Sequence, residues 1–183
     1  MKFLVVSDIH GDSYWAQRAV DVFKSEGADR LVFLGDILYH GPRNDLPMEY
    51  APKEVIAMLN PLKDRICSIR GNCEAEVDQM VLPFPVMSES MIMPVGNSLM
   101  YVTHGHIYHM DHLPPLKPGD ILLHGHTHVP GIWHLESGIT VLNPGSVSIP
   151  KENSWRGYMI LEDTTFVWKD LSGLEKLRWE SAR

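Results

Sequence analysis

Cysteine is almost absent from this chain: Cys67 and Cys73 are the only two among 183 residues. Two cysteines cannot build a disulfide framework, and these are too far apart for C-x-x-C. An oxidised extracellular scaffold is therefore excluded, and a reducing cytoplasm is the expected compartment. Long apolar runs are lacking too. Nothing approaches the roughly 20 residues of a membrane span, and the Phe3-Leu4-Val5-Val6 stretch stops at Ser7-Asp8, short of a secretory segment of about 7–15 apolar residues. Positive charge is in deficit, with 16 Lys and Arg against 23 Asp and Glu for a net charge of −7. Holding nucleic acid by phosphate neutralisation needs a surplus of cations on some face, so stable nucleic-acid binding is not expected. No internal repeat and no low-complexity linker is visible. The 44% hydrophobic and 21% charged residues that make up much of the chain are those of an ordinary globular protein. At 20.8 kDa, a single domain over residues 1–183 is expected.

Five short apolar runs read as buried strands: Phe3–Val6, Leu31–Leu34, Ile66–Ile69, Leu99–Val102 and Ile121–Leu123. Between the first two, Ser13–Glu26 carries a helical stripe through Trp15, Ala16, Ala19, Val20, Val22 and Phe23, with Ser13 as N-cap and Gly27 after the end. Pro52–Asn60 is a shorter helix that Pro61 stops. The second half changes character. Val86–Met93 with Leu99–Val102, Ile132–Leu135 with Ile139–Leu142, and Tyr158–Leu161 with Thr165–Trp168 read as hairpins around tight turns, while Leu171–Arg183 carries no clear pattern. A βαβ start followed by hairpins predicts an α/β sandwich of two packed sheets with helices outside. The apolar Met80–Met93 stretch and the aromatic C-terminus suit either a packed core or a homo-oligomer interface.

Histidine is in excess. Of ten, His104, His106, His109, His112, His124, His126 and His128 fall within 25 residues, internal and interleaved with Gly, Thr and Tyr. Each of the five runs is followed by residues that ligate metals: Asp8 and His10, Asp36, Asn72, His104, and His126 with His128. Taken singly, Asp8, Asp36 and Asn72 are ordinary turn or cap residues, and His104 or His126 an ordinary core or surface histidine. Their joint recurrence at five strand ends outweighs those readings, because ligands of open α/β sheets bind beyond the carboxyl ends of the strands. Asp8-Ile9-His10 and His126-Thr127-His128 have the i, i+2 spacing that in extended backbone sends both side chains to one side. Gly11, Gly35, Gly71, Gly105 and Gly125 adjoin these residues, where a chain turning beside a crowded ion needs positive φ or close approach.

The donors are carboxylates, imidazoles and one amide. That set suits Mn²⁺, Fe, Zn²⁺, Co²⁺ or Ni²⁺ rather than a structural zinc, which takes cysteine. Seven ligands exceed one tetrahedral ion. Two divalent ions about 3.5–4 Å apart are the economical arrangement, and such pairs cleave phosphate esters.

These blocks, Asp8-Ile9-His10, Gly35-Asp36, Gly71-Asn72-Cys73-Glu74, His104-Gly105-His106 and Gly125-His126-Thr127-His128, resemble the five blocks of the calcineurin-like metallophosphoesterase superfamily, in the family's order. With Asn143-Pro144-Gly145-Ser146, the chain looks most like the branch of small bacterial and archaeal phosphodiesterases. The resemblance implies a four-layer αββα sandwich, two mixed sheets flanked by helices, with a dinuclear centre at the strand ends. It implies one ion on Asp8, His10, Asp36 and His128, the other on Asp36, Asn72, His104 and His126, with Mn²⁺ first among candidate metals. A hydroxide bridging the ions would attack a small phosphodiester. Asp36, Asn72 and His104 would border the reacting phosphate, and Cys73 and His106 are further candidates there. Many relatives have histidine where this chain has Cys73, beside the leaving group. A neutral thiol replaces imidazolium poorly, so diesters with good leaving groups are expected to exceed phosphomonoesters.

Arg43 and Arg70 offer phosphate contacts or surface ion pairs, Tyr39, His40, His109 and His112 offer cleft walls, and His124 and Cys67 are expected in the core. Two other functions compete. A metallo-β-lactamase-like hydrolase lacks the aspartate of H-x-H-x-D-H and leaves Asp8-Ile9-His10 unexplained. A non-catalytic scaffold of the same fold would usually have lost ligands that every matched position here retains.

Overall fold

The computed structural model describes residues 1–181. Eleven strands and three α-helices are found among them: β1 (Lys2–Val6), α1 (Ser13–Ser25), β2 (Arg30–Phe33), α2 (Pro52–Leu59), β3 (Ile66–Ser68), α3 (Glu76–Val81), β4 (Ser90–Val95), β5 (Ser98–Thr103), β6 (Ile121–Leu123), β7 (Gly131–His134), β8 (Thr140–Asn143), β9 (Gly157–Glu162), β10 (Thr165–Asp170) and β11 (Glu175–Glu180). The strands form two mixed sheets. The first has the order β11-β10-β9-β1-β2-β3 and the second β4-β5-β6-β8-β7. In the first, β1, β2 and β3 run parallel; in the second, β5, β6 and β8 do.

Alternation within each strand explains the layering, because successive side chains point to opposite faces. Leu4, Val6, Leu31, Phe33 and Ile66 meet Ala16, Ala19, Val20 and Phe23 of α1 and Val55 and Leu59 of α2. Their neighbours Val5, Val32, Leu34 and Ile69 face the second sheet through Met100, Val102, Ile121, Leu123 and Leu142, with Trp168 fully buried among them. This is the expected α/β sandwich of two mixed sheets with helices outside. On the far face of the second sheet, Leu122, Ile139 and Val141 are covered by Met110, Leu113 and Leu116 from the irregular segment after β5.

Several local expectations shift. Asp12, not Ser13, caps α1, its carboxylate accepting from Trp15 N at 3.0 Å. Both residue types cap well, so only the position differs. The strand expected from Val86 begins at Ser90. Residues before it hydrogen-bond elsewhere, Val86 N to Gln79 Oε1 and Arg70 N to Ser88 O. The unpatterned C-terminus forms β11, an edge strand with Leu177 and Trp179 turned inward; residues 182 and 183 lie outside the described residues. Of the Met80–Met93 stretch, Leu82, Phe84 and Val86 enter the core and Met80 stays exposed.

Glu26, at the C-cap of α1, ties the helix layer to three strands. It accepts from Lys169 Nζ at 2.7 Å, Tyr158 Oη at 2.8 Å and Lys2 Nζ at 3.0 Å. Burial alone would raise its carboxyl, but these bonds bring it down from 4.5 to about 2. The folded value lies below the unfolded one, so the stabilisation is complete above pH 4.5 and lost as pH falls towards 2. Glu26→Gln is expected to unfold more easily at pH 7 by ~2 kcal/mol, the scale of a hydrogen bond to a charged group. In denaturant titrations, its deficit against the parent should close across that acid window.

Candidate metal centre

Loops after five parallel strands meet at one end of the sandwich. Asp8 and His10 follow β1, Asp36 follows β2, Asn72 follows β3, His104 follows β5, and His126 and His128 follow β6. The loops also bind one another: Asp8 N donates to Gly35 O, His10 N to Asp36 O and Gly125 N to His104 O. Asp8, His10, Asp36, His126 and His128 have φ between 53° and 66°, five of the eight non-glycine residues with positive φ among the described residues. The two i, i+2 pairs thus reach the cavity through left-handed turns rather than extended backbone. Each such residue costs about 1–2 kcal/mol. Gly71 and Gly125 permit the close approach, since a Cβ on Gly71 would strike the Asp36 carboxylate and one on Gly125 the Ser7 hydroxyl.

Two clusters of acceptor atoms result. His10 Nδ1 hydrogen-bonds Tyr39 O at 3.0 Å and His128 Nδ1 hydrogen-bonds Ile149 O at 2.7 Å. A carbonyl only accepts, so each ring carries its proton on Nδ1 and turns an Nε2 lone pair inward. Those two Nε2 atoms lie 3.2 Å apart, and Asp8 Oδ1 lies 3.6 and 3.2 Å from them. Asp8 Oδ1 is buried without a hydrogen-bond partner, while its Oδ2 accepts from His126 N. In the second cluster, His104 Nδ1 is spent on Leu34 O. Its Nε2 faces Asn72 Oδ1 at 3.1 Å, His126 Nδ1 at 3.2 Å and Asp36 Oδ2 at 3.4 Å. Asp36 Oδ2 is also 3.7 Å from His10 Nε2, so one carboxylate adjoins both clusters.

Acceptors packed face to face repel unless a cation lies between them. The carboxylates make the region attractive to positive charge: burial works against a charged His104, yet its contact with Asp36 and the charges of Asp8 and Asp36 raise it to about 9. Beside it, burial and then His104 push His126 down to about 4. Burial disfavours a charged Asp8 as well, but contacts with His10 and His128 hold its carboxyl well below the usual range. These donors fit divalent cations on chemistry as well as position.

Further residues hold the loops, with roles that no local spacing signals. Glu74 is buried, and its carboxylate accepts from the backbone N–H groups of Asp36, Ile37 and Gly71. Burial and then the Asp36 charge push it up to about 7, against those three bonds. Asn143 donates to Gly125 O and Thr127 Oγ1, and Ser146 and Ser148 both donate to Asp8 O.

The other expected site residues divide. Cys73 donates from Sγ to Asp36 Oδ2 at 3.2 Å, and burial followed by the Asp36 charge raises its thiol above its ordinary value. His106 lies beside His104, with ring centroids 5.4 Å apart, and its Nδ1 is buried without a partner. Arg43 lines the cavity, together with Lys151, which the sequence reading did not single out. Arg70 instead pairs with Glu89 at the surface. His40 stands edge-on to Tyr39 and Tyr50. His109 and His112 pair with each other through their backbones, and neither lines this cavity. His124 is buried just after β6, and Cys67 packs against the inter-sheet core.

Comparisons with known proteins agree with this geometry. The family model of the calcineurin-like phosphoesterase superfamily domain matches residues 1–165. Phosphodiesterase YfcE of Escherichia coli is 42% identical over 163 residues, 89% of this chain and 88% of the relative. A probable metallophosphoesterase of Bacillus subtilis, YsnB, is 23% identical over 168 residues, covering 88% and 83%. The solved structure of YfcE, a phosphoesterase from E. coli, superposes with a TM-score of 0.94 at 38% identity, covering all of both chains.

Glu74→Gln would turn an amide NH₂ towards N–H donors that now meet a carboxylate. Expected are a loss of about 2–3 kcal/mol in unfolding free energy, the scale of buried hydrogen bonds to charge, and weaker divalent-cation uptake as Asp36 loses its support. Denaturant unfolding and calorimetric metal titration check the two effects separately.

Proposed function

The chain belongs to the calcineurin-like phosphoesterase superfamily, and from that premise we propose that it is a metal-dependent phosphodiesterase working through two divalent ions that share Asp36. One would be held by Asp8, His10, Asp36 and His128, the other by Asp36, Asn72, His104 and His126. The observation that carries this reading is the pair of inward-facing acceptor clusters on either side of Asp36 Oδ2. The name of the E. coli relative, a phosphodiesterase, supports the substrate class. The oxygen and nitrogen donors suit Mn²⁺, which we place first, ahead of Fe, Zn²⁺, Co²⁺ and Ni²⁺. When bound, such ions supply Lewis acidity and a hydroxide nucleophile near neutral pH.

The chain's own residues would do the rest. Asn72 donates from its amide nitrogen to Cys73 Sγ, leaving Oδ1 turned to His104. Backbone carbonyls fix the Nδ1 tautomer of the neutral His10, His104 and His128 rings and turn their Nε2 atoms to the site, and at His104, raised to about 9, a bound cation would displace a proton. Arg43 and Lys151 line the cavity without a carboxylate partner for either side chain among the described residues, placing two cations where a diester's non-bridging oxygens arrive. Lys151 is tied there by its N–H to His128 O, on a turn whose next two residues, Glu152 and Asn153, are left-handed.

Cys73 shapes the substrate preference. Its proton is committed to Asp36 and its thiol is raised by burial, so it cannot readily protonate a departing alkoxide. Rates then depend on the leaving group itself, and a dianionic monoester with an alkyl leaving group is the poorest case. Cys67 and Cys73 are both free, which fits a cytoplasmic setting; no helix among the described residues is long and apolar enough to cross a membrane.

Hydrolysis of bis(4-nitrophenyl) phosphate should disappear on chelation and return with Mn²⁺. Asp36→Asn and His126→Ala should each lose ~100-fold or more in kcat/KM, the effect of several kcal/mol of transition-state stabilisation. Variants as fast as the parent would contradict the assignment. Alkyl phosphomonoesters should turn over far more slowly than this diester, and equal rates would remove the role given to Cys73.

A further inference from the structure

A second cavity, of about 340 Å³, adjoins the metal cavity, and Cys73 lines both. Its walls are Tyr39, Tyr50, Ile56, Val77 and Val81, from the loop after β2, from α2 and from α3. Two links join it to the candidate metal residues: Tyr39 O accepts from His10 Nδ1, and Cys73 Sγ donates to Asp36 Oδ2. Val77, Val81 and Tyr39 are 61%, 40% and 42% exposed. Apolar groups left in water around a concave wall mark a ligand contact more often than a single exposed residue does. The tyrosines are set by His40, edge-on to both at 4.7 and 5.3 Å between ring centroids.

Charge distinguishes the two cavities. Arg43 and Lys151 line the metal cavity, whereas the apolar one has no cation in its lining. Its one carboxylate, Asp78, already accepts from Ala75 N at 2.8 Å. An anionic arm gains nothing there; an uncharged ring or alkyl group buries apolar surface. The volume lies at the small end of the roughly 300–1,000 Å³ of ligand pockets, enough for one ring-sized group.

We propose that the cavity beside Cys73 is a specificity subsite that receives one ester arm of the substrate diester, an uncharged aromatic or apolar alcohol, while the phosphate sits between Arg43 and Lys151. The subsite rests on the phosphodiesterase reading and adds to it the chemical class of one arm.

The test uses two uncleaved monoanionic analogues, methyl phenylphosphonate and methyl methylphosphonate, with the full-length protein loaded with Mn²⁺ for inhibition and with Mg²⁺ for NMR. The phenyl analogue should inhibit bis(4-nitrophenyl) phosphate hydrolysis ~10-fold or more tightly, the effect of burying one ring, and should shift the methyl resonances of Val77 and Val81. Val81→Asp should abolish the preference while binding of the methyl analogue persists, and Val77→Asp is a second variant at a still more exposed site. Met48→Asp, on a different and highly exposed surface, should leave the preference intact. Equal inhibition by the two analogues, or a preference that survives both Val→Asp changes, overturns the subsite and leaves the phosphodiesterase reading standing. If the parent hydrolyses no diester, that reading fails, and the Val77 and Val81 resonances still decide by direct binding whether the cavity takes a ring.

Discussion

Crowding of lone pairs around the Asp36 carboxylate is the constraint on which the rest of this structure depends. Four imidazoles, two carboxylates and an amide oxygen converge with their proton-bearing sides turned outward or spent on backbone carbonyls. Inner nitrogens of two histidines lie 3.2 Å apart in each cluster, and Asp8 Oδ1 is buried without a partner. A protein interior does not hold such an array without compensation, because an unpaired buried charge costs several kcal/mol. Divalent cations would remove the conflict, turning repulsion among acceptors into coordination.

The fold supplies the means. Parallel strands β1, β2 and β3 in one sheet and β5 and β6 in the other direct their following loops to the same end, so residues from 8 to 128 share one cavity. The chain turns sharply at that end, and five of the converging residues adopt left-handed backbone. At about 1–2 kcal/mol each, that strain is comparable with a domain's whole net stability of about 5–15 kcal/mol. It persists because the loops are held from behind: Glu74 grips the Asp36 and Gly71 loops together, while Asn143, Ser146 and Ser148 hold the His126 and Asp8 loops. Cation binding would oppose the same strain, linking metal content to stability.

What could be read from the sequence follows from the range of each signal. Apolar runs ending in Asp, Asn or His are local patterns, and they located the five strand ends and the residues that converge there. The left-handed conformation of Asp8 or His126 has no such signature, since Asp and His adopt it far less often than glycine does. Glu74 stands in the third block, but its role rests on partners 37 and 38 positions away that come into place only through the β2–β3 crossover. Lys151 looks like an ordinary turn lysine, and only folding places it beside His128. The C-terminal strand was hidden for a different reason: at an edge, two inward residues, Leu177 and Trp179, suffice. Histidine clustering also overstated the centre, because His109 and His112 belong to the segment that covers the second sheet.

The most direct measurement is a count of the ions. Metal-free protein titrated with Mn²⁺ in a calorimeter, with the bound metal verified by elemental mass spectrometry, should take up two equivalents per chain. The Asp36→Asn variant should fail to hold the second, because its amide cannot serve both clusters as a shared carboxylate does. Binding of one equivalent or none by the parent, or unchanged two-ion binding by Asp36→Asn, would contradict the account of a shared dinuclear centre.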